Sequence, residues 1–106
     1  MKPEEIAKYL SGDPERDRKA TDIAACVEQM REGAAHFFFL KTNGDTREAW
    51  GTTDTGFVNK HWTPSPTSRR KEPKGPGSSA FFDLQKLEWR SFNWSRFIRL
   101  DRDYCI

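Results

Sequence analysis

Apolar residues recur along this chain with two different periods, and the change falls near residue 35. Before it the spacing is helical. Pro3 suits a first helical turn, Glu4 and Glu5 complement the positive end of the helix dipole, and Ile6, Tyr9 and Leu10 form a one-sided stripe that Ser11-Gly12 ends. Asp13-Pro14-Glu15 is a second start signal, although the run from Arg16 to Lys19 offers nothing apolar to bury and reads as a solvated turn. The stronger helix is therefore expected from Thr21 or Asp22, with Ile23, Val27 and Met30 on one side and Gly33 as its stop. From Ala35 the period becomes two. His36 to Thr42 reads as a strand, Asn43-Gly44 as a two-residue hairpin turn, and Asp45 to Thr53 as the returning strand. That register sets Phe37 opposite Trp50, Phe38 opposite Ala49, Phe39 opposite Glu48 and Leu40 opposite Arg47, so both faces of the hairpin are apolar. A barrel interior uses one face only. The other needs the helices or a second copy of the chain to cover it, and a symmetric homodimer is the expected consequence.

The stretch from Ala80 to Leu100, taken with Tyr104, holds seven of the fourteen aromatic residues, so the core must be built there. Two apolar runs flank Gln85-Lys86-Leu87-Glu88 as in a β-hairpin. A two-residue loop at Lys86-Leu87 sets Leu84 opposite Trp89, Asp83 opposite Arg90, Phe82 opposite Ser91 and Phe81 opposite Phe92. Phe82, Leu84 and Trp89 then share a face and read as core, while Asp83 and Arg90 form a cross-strand ion pair on the other. Trp94-Ser95-Arg96-Phe97 breaks the alternation as one helical turn would, before Ile98 and Leu100 resume it. Strand, strand, short turn and strand is the closing half of a small SH3-like barrel.

Phe82-Asp83-Leu84, a short turn, Trp89-Arg90-Ser91-Phe92, Trp94 and Phe97-Ile98 together resemble the WYL-like, Sm-like SH3 β-barrel domains of bacterial and phage proteins. The upstream hairpin is similar too, with a Lys- and Gly-containing turn, Lys41-Thr42-Asn43-Gly44, followed by a strand bearing Arg47. The resemblance runs from His36 to Leu100 and implies a mainly β, SH3-like or Sm-like barrel with N-terminal helices. It also implies a class of small modules that includes binders of nucleotides and nucleic acids, and a phage origin, where such a protein would sequester a nucleotide signal or modulate host defence. The expected division is an N-terminal helical segment, 1–33, and a barrel, 34–106, carrying a long insert at 56–79.

Net charge is only +2, but it is unevenly placed. Residues 2–32 carry a net of −2 and residues 56–79 a net of +4, so the insert is the basic element. It also holds Pro64, Pro66, Pro73 and Pro76, which exclude a continuous helix or strand. Two cysteines, Cys26 and Cys105, make no disulfide framework or zinc motif, no apolar run reaches a membrane span, and no signal peptide is legible. The expected setting is the cytoplasm, the host's if the protein is viral.

No nucleophile, Walker or dinucleotide-binding motif occurs, so a non-enzymatic protein without a cofactor is expected. His36 reads as a satisfied strand residue and not as a metal ligand. The candidate ligand site is the cluster Arg69, Arg70, Lys71 and Lys74 with Lys60 and Trp62, where positive charge beside an aromatic plane suits phosphates and a stacked base. Arg90 is a further candidate anion contact, weighed against its simple pairing with Asp83. The sequence thus points to a binding module for a nucleotide-type ligand or nucleic acid. Its rival is a protein-interaction module that docks on a host protein through the first hairpin and the helices.

Overall fold

In the computed structural model, which describes residues 2–54, 56 and 77–104, Asp13 starts the main helix earlier than apolar spacing predicts. Its Oδ1 accepts the amide of Glu15, the N-cap residue, at 2.8 Å and its Oδ2 takes the Lys19 ammonium at 2.7 Å, so it fixes the turn that leads into the helix. Helix α2 accordingly spans Arg16–Glu32, after α1 at Pro3–Ala7 and a 3₁₀ turn at Lys8–Leu10. The polar run does not lie idle in solvent. Arg18 reaches Asp22 at 3.1 Å and the backbone carbonyl of Ile98 at 2.8 Å, tying the helix to the sheet. The buried side of α2 is Ala20, Asp22, Ile23, Cys26 and Met30. Val27 is only partly covered, and Tyr9 is 51% exposed instead of joining Ile6 and Leu10 inside.

Five strands follow, β1 (Ala35–Leu40), β2 (Thr46–Thr52), β3 (Ser78–Asp83), β4 (Glu88–Asn93) and β5 (Phe97–Leu100), with the 3₁₀ turn Trp94–Arg96 where the aromatic pattern breaks. They form one antiparallel sheet in the order β4-β3-β2-β1-β5. The two edge strands meet across the core, since the rings of Phe92 on β4 and Phe97 on β5 lie 5.6 Å apart. The sheet is therefore rolled into a barrel. Phe37 sits at its centre, fully buried, with ring centroids of Phe81 at 5.1 Å, Phe92 at 5.3 Å and Phe97 at 6.3 Å. Ile6, Leu10, Ile23, Cys26 and Met30 complete the same cluster from the helices. At the end of β2, the Thr53 amide donates to the Met30 carbonyl at 3.0 Å, which satisfies part of the helix C-terminus. Gly51 lets Phe81 and Met30 close over the strand, because a β-carbon there would lie 2.6 Å from Phe81 Cδ2 and 3.3 Å from Met30 Sδ.

Both hairpins differ in register from the sequence expectation. In the first, Phe37 pairs with Ala49, Phe38 with Glu48 and Phe39 with Arg47. The turn comprises residues 42–44, closed by Lys41 and Asp45. Gly44 takes the left-handed position with φ of 90°, the usual third residue of such a loop. This slip of one residue exchanges the partners' faces. Ala35, Phe37 and Phe39 point inward with Ala49, and the outer face carries His36, Phe38, Trp50, Glu48 and Thr46. Leu40, 36% exposed, lies on that outer face as well, which is thus a mixed face in place of the second apolar one expected. In the second hairpin the turn comprises residues 84–87, and Phe82, not Leu84, pairs with Trp89. Trp89 and Leu84 are half-buried and lie outside the central cluster. On β5 a bulge sets Phe39 opposite Phe97 and Phe37 opposite Leu100, so Phe97 and Leu100 face inward while Ile98 is half-buried.

Leu87 adopts φ of 55° at the tip of the second hairpin and is 48% exposed. Left-handed backbone costs a residue with a β-carbon about 1–2 kcal/mol, and little packing is lost with this side chain. Leu87→Gly should therefore stabilise the fold by about 0.5–1 kcal/mol after the extra chain entropy of glycine. A urea midpoint that stays level or falls would show that the side chain earns its place by contacts.

Candidate functional site

The tips of the two hairpins lie side by side and enclose an open cleft of about 270 Å³ lined by Lys41, Thr46, Arg47, Glu48, Gln85 and Lys86. Each wall is held by local bonds. On the β1–β2 side, Asn43 Oδ1 accepts the Asp45 amide at 3.0 Å, the Lys41 amide donates to the Asp45 carbonyl at 2.8 Å, and Arg96 Nη1 donates to the Lys41 carbonyl at 3.0 Å. On the β3–β4 side, Asp83 is completely buried, and its Oδ1 accepts the amides of Gln85 at 2.8 Å and Lys86 at 3.1 Å.

The other oxygen of Asp83 accepts a short hydrogen bond from Arg47 Nη2 and lies 3.7 Å from Arg90 Nε. Arg47 projects from the inward face of β2, opposite Phe39, with its side chain 15% exposed. A guanidinium in that position needs a carboxylate, because an unpaired buried charge is costly. One Asp83 side chain therefore shapes the turn that presents Lys86 and fixes the direction of Arg47. The Nε atoms of Arg47 and Arg90 are buried and have no hydrogen-bond acceptor among the described residues. Lys41 and Lys86 are exposed and make no ion pair among the described residues. Two unpaired lysines, the Asp83-paired Arg47 and one further carboxylate, Glu48, thus line the cleft, and the charge left uncompensated is positive.

This carboxylate, Glu48, is shared with a second cluster on the outer face of the sheet. His36 lies between Glu48 Oε2, 2.8 Å from its Nε2, and Asp101 Oδ2, 2.7 Å from its Nδ1. Its ring stacks on Trp50 with centroids 4.5 Å apart and planes 8° from parallel, and the Tyr104 ring stands edge-on at 5.7 Å. The hydrogen bond from His36, followed by the Asp103 amide, holds the Asp101 carboxyl below the usual carboxylate range. His36 is a fully engaged strand residue, and among the described residues no group of side chains could hold a metal ion. Burial pushes the Cys26 thiol well above its ordinary range, so it is an inert core group.

Of the residues singled out from sequence, Arg90 lies beside this network. It forms the pair with Asp83 diagonally, not directly across the strands, and a short contact from its Nη2 to Glu88 Oε1. Its charge is thus spent within the fold. Lys60, Trp62, Arg69, Arg70, Lys71 and Lys74 lie outside the described residues. Lys41, Arg47 and Lys86 were not singled out as a ligand site. Their signal was present in part: Asp83 two and three residues before Gln85 and Lys86 is a turn-capping position, and Lys41 heads the Asn-Gly turn. What sequence did not show is that the two turns adjoin.

The comparisons with known proteins agree with this architecture. Residues 23–98, most of the chain, match the family model described as WYL_2, Sm-like SH3 beta-barrel fold. No curated protein and no solved structure matches the chain. No helix among the described residues is long and apolar enough to cross a membrane.

Proposed function

The chain belongs to the WYL_2 family of Sm-like SH3 β-barrels, a small binding module, and from that premise we propose that it holds a phosphate-bearing ligand, a nucleotide or a nucleic-acid backbone, in the hairpin-tip cleft. The observation that carries this reading is the convergence of Lys41, Arg47 and Lys86 on one open cleft, with Asp83 bracing the guanidinium from behind. Fixed guanidinium geometry favours phosphate oxygens, because little side-chain freedom is lost on binding. The two lysines supply mobile charge around it. The basic insert, with Lys60, Trp62, Arg69, Arg70, Lys71 and Lys74, would add to the same electrostatic attraction and offer an aromatic plane to a base. On this reading the module acts by holding its ligand.

Calorimetric titration with ATP and with a single-stranded oligothymidylate tests this. Lys41→Ala with Lys86→Ala should weaken binding about tenfold or more, at 1.4 kcal/mol per decade, and leave the melting temperature nearly unchanged because both side chains are exposed. For the oligonucleotide, the loss of two contacts should flatten log K against log salt by about 0.7 per contact. A parent protein that binds neither ligand would overturn the reading. A double variant that binds both as the parent does would move the site away from the cleft.

A further inference from the structure

We propose that the outer edge of β4, with the groove beside it, takes an extended acidic peptide as one further strand of the sheet. The two edges of the sheet are not equivalent. On β5, Arg99 pairs with Phe38 and the Asp101 amide donates to the His36 carbonyl, so the Ile98 carbonyl and the Leu100 amide turn away from β1. Both are engaged by α2, through Arg18 Nη2 at 2.8 Å and Asp22 Oδ2 at 3.5 Å. A helix therefore closes that edge. On β4 the phase of pairing is fixed by the Trp94 amide, which donates to the Gly77 carbonyl at 2.8 Å. From the other side of β3, the bond from the Leu84 amide to the Trp50 carbonyl at 2.9 Å fixes the same phase. Because antiparallel bonds alternate, Arg90 and Phe92 bond to β3, and the amides and carbonyls of Ser91 and Asn93 point outward. No hydrogen bond takes them among the described residues.

Beside this edge a groove of about 100 Å³ runs between Ser91, Phe92 and Asn93 of β4 and, across from them, Phe39, Lys41 and Arg96. Its floor is the buried pair Phe39 and Phe92. A strand added to β4 continues the alternation of the sheet, so the side chain that it sets beside Phe92 enters the groove, and an aliphatic one suits that floor. The charged residues of the groove are Lys41 and Arg96, and neither makes an ion pair among the described residues. No carboxylate lines it among the described residues. The complementary peptide therefore carries an aliphatic residue with carboxylates close by. A second copy of the chain is the poorer occupant, since α2 closes its β5 and the one carboxylate on its β4, Glu48's counterpart on that hairpin being Glu88, is held by Arg90. The groove shares only Lys41 with the phosphate cleft, so the proposal stands without that site.

The test titrates a blocked hexapeptide, alternating threonine and leucine and ending in two glutamates, into isotope-labelled protein, with the same peptide ending in two lysines as the comparison. Amide exchange in heavy water reads the addition of a strand. At a free peptide concentration of about ten times the Kd, the Ser91 and Asn93 amides should exchange about tenfold more slowly by mass action, while the Lys86 amide in the cleft keeps its rate. The glutamate peptide should bind about fivefold more tightly than the lysine peptide, the upper end for an exposed ion pair, and Arg96→Glu should remove that preference. Ser91 and Asn93 left unprotected by either peptide, equal affinity of the parent for the two, or an Arg96→Glu protein that keeps the full preference would overturn the proposal. Protection of both amides before any peptide is added would overturn it as well, with the mass of a dimer placing a second copy on the edge and that of a monomer placing a segment of the chain itself there.

Discussion

Asp83→Ala is expected to be among the most damaging single substitutions in this protein. The side chain is completely buried and serves four partners: the amides of Gln85 and Lys86 through one oxygen, and the guanidiniums of Arg47 and Arg90 beside the other. Its removal leaves the largely buried Arg47 charge without a counter-ion, and breaking such a pair costs about 3–5 kcal/mol. The loss of the turn bonds adds to that. Asp83→Asn separates the two contributions, because an amide oxygen can still accept the Gln85 and Lys86 amides while the charge is gone. Its thermal midpoint should lie between those of the parent and the alanine variant. If Asp83→Ala melted with the parent, the buried network would be ornamental and the cleft would have no braced wall.

Phe37→Ala should cost a similar amount for a different reason. Its ring contacts Phe39 on its own strand, Phe81 on β3, Phe92 on β4 and Phe97 on β5, so one side chain joins four strands of the barrel. Truncating a buried phenylalanine costs about 3–5 kcal/mol through lost burial and the cavity left behind. In a domain of this size each kcal/mol shifts the midpoint by about 4–8 °C, so a fall of about 12 °C or more is expected in a thermal melt. Phe37→Leu, which keeps most of the volume, should recover much of it. Trp89→Ala makes the control. Trp89 meets the Phe82 ring edge-on at 5.7 Å but is half-buried outside the central cluster, so its truncation should cost less than that of Phe37.

That contrast shows where the sequence was informative and where it was not. Period two, the Asn-Gly turn, the aromatic break at Trp94 and the start signal at Asp13 each mark a real element, because each reflects local backbone chemistry. Register is not local in the same way. The first hairpin differs by one residue because Gly44 takes the third position of a three-residue loop, and a slip of one is enough to exchange inner and outer faces. In the second hairpin the turn is longer than expected but the slip preserves parity, so Phe82 and Trp89 do share a face. Which face is the core depends on how the sheet rolls, and that depends on Phe92 and Phe97 meeting from opposite edges. The cleft was hidden for a related reason. Arg47 is a charged residue pointing inward, acceptable only because Asp83, brought alongside by the pairing of β2 with β3, satisfies it. His36 is the complementary case. Its role as a satisfied strand residue was legible, but its contact with Glu48 required the true register.

The central claim is that the hairpin-tip cleft holds phosphate, and an ATP titration of nitrogen-labelled protein followed by magnetic resonance tests it most directly. The Arg47 Nε–H, which has no acceptor among the described residues, and the amides of Lys41 and Lys86 are the reporters. All three should shift together with a single affinity, while Leu10 and Met30 in the core stay still. Saturation of the protein with all three reporters unmoved would contradict it.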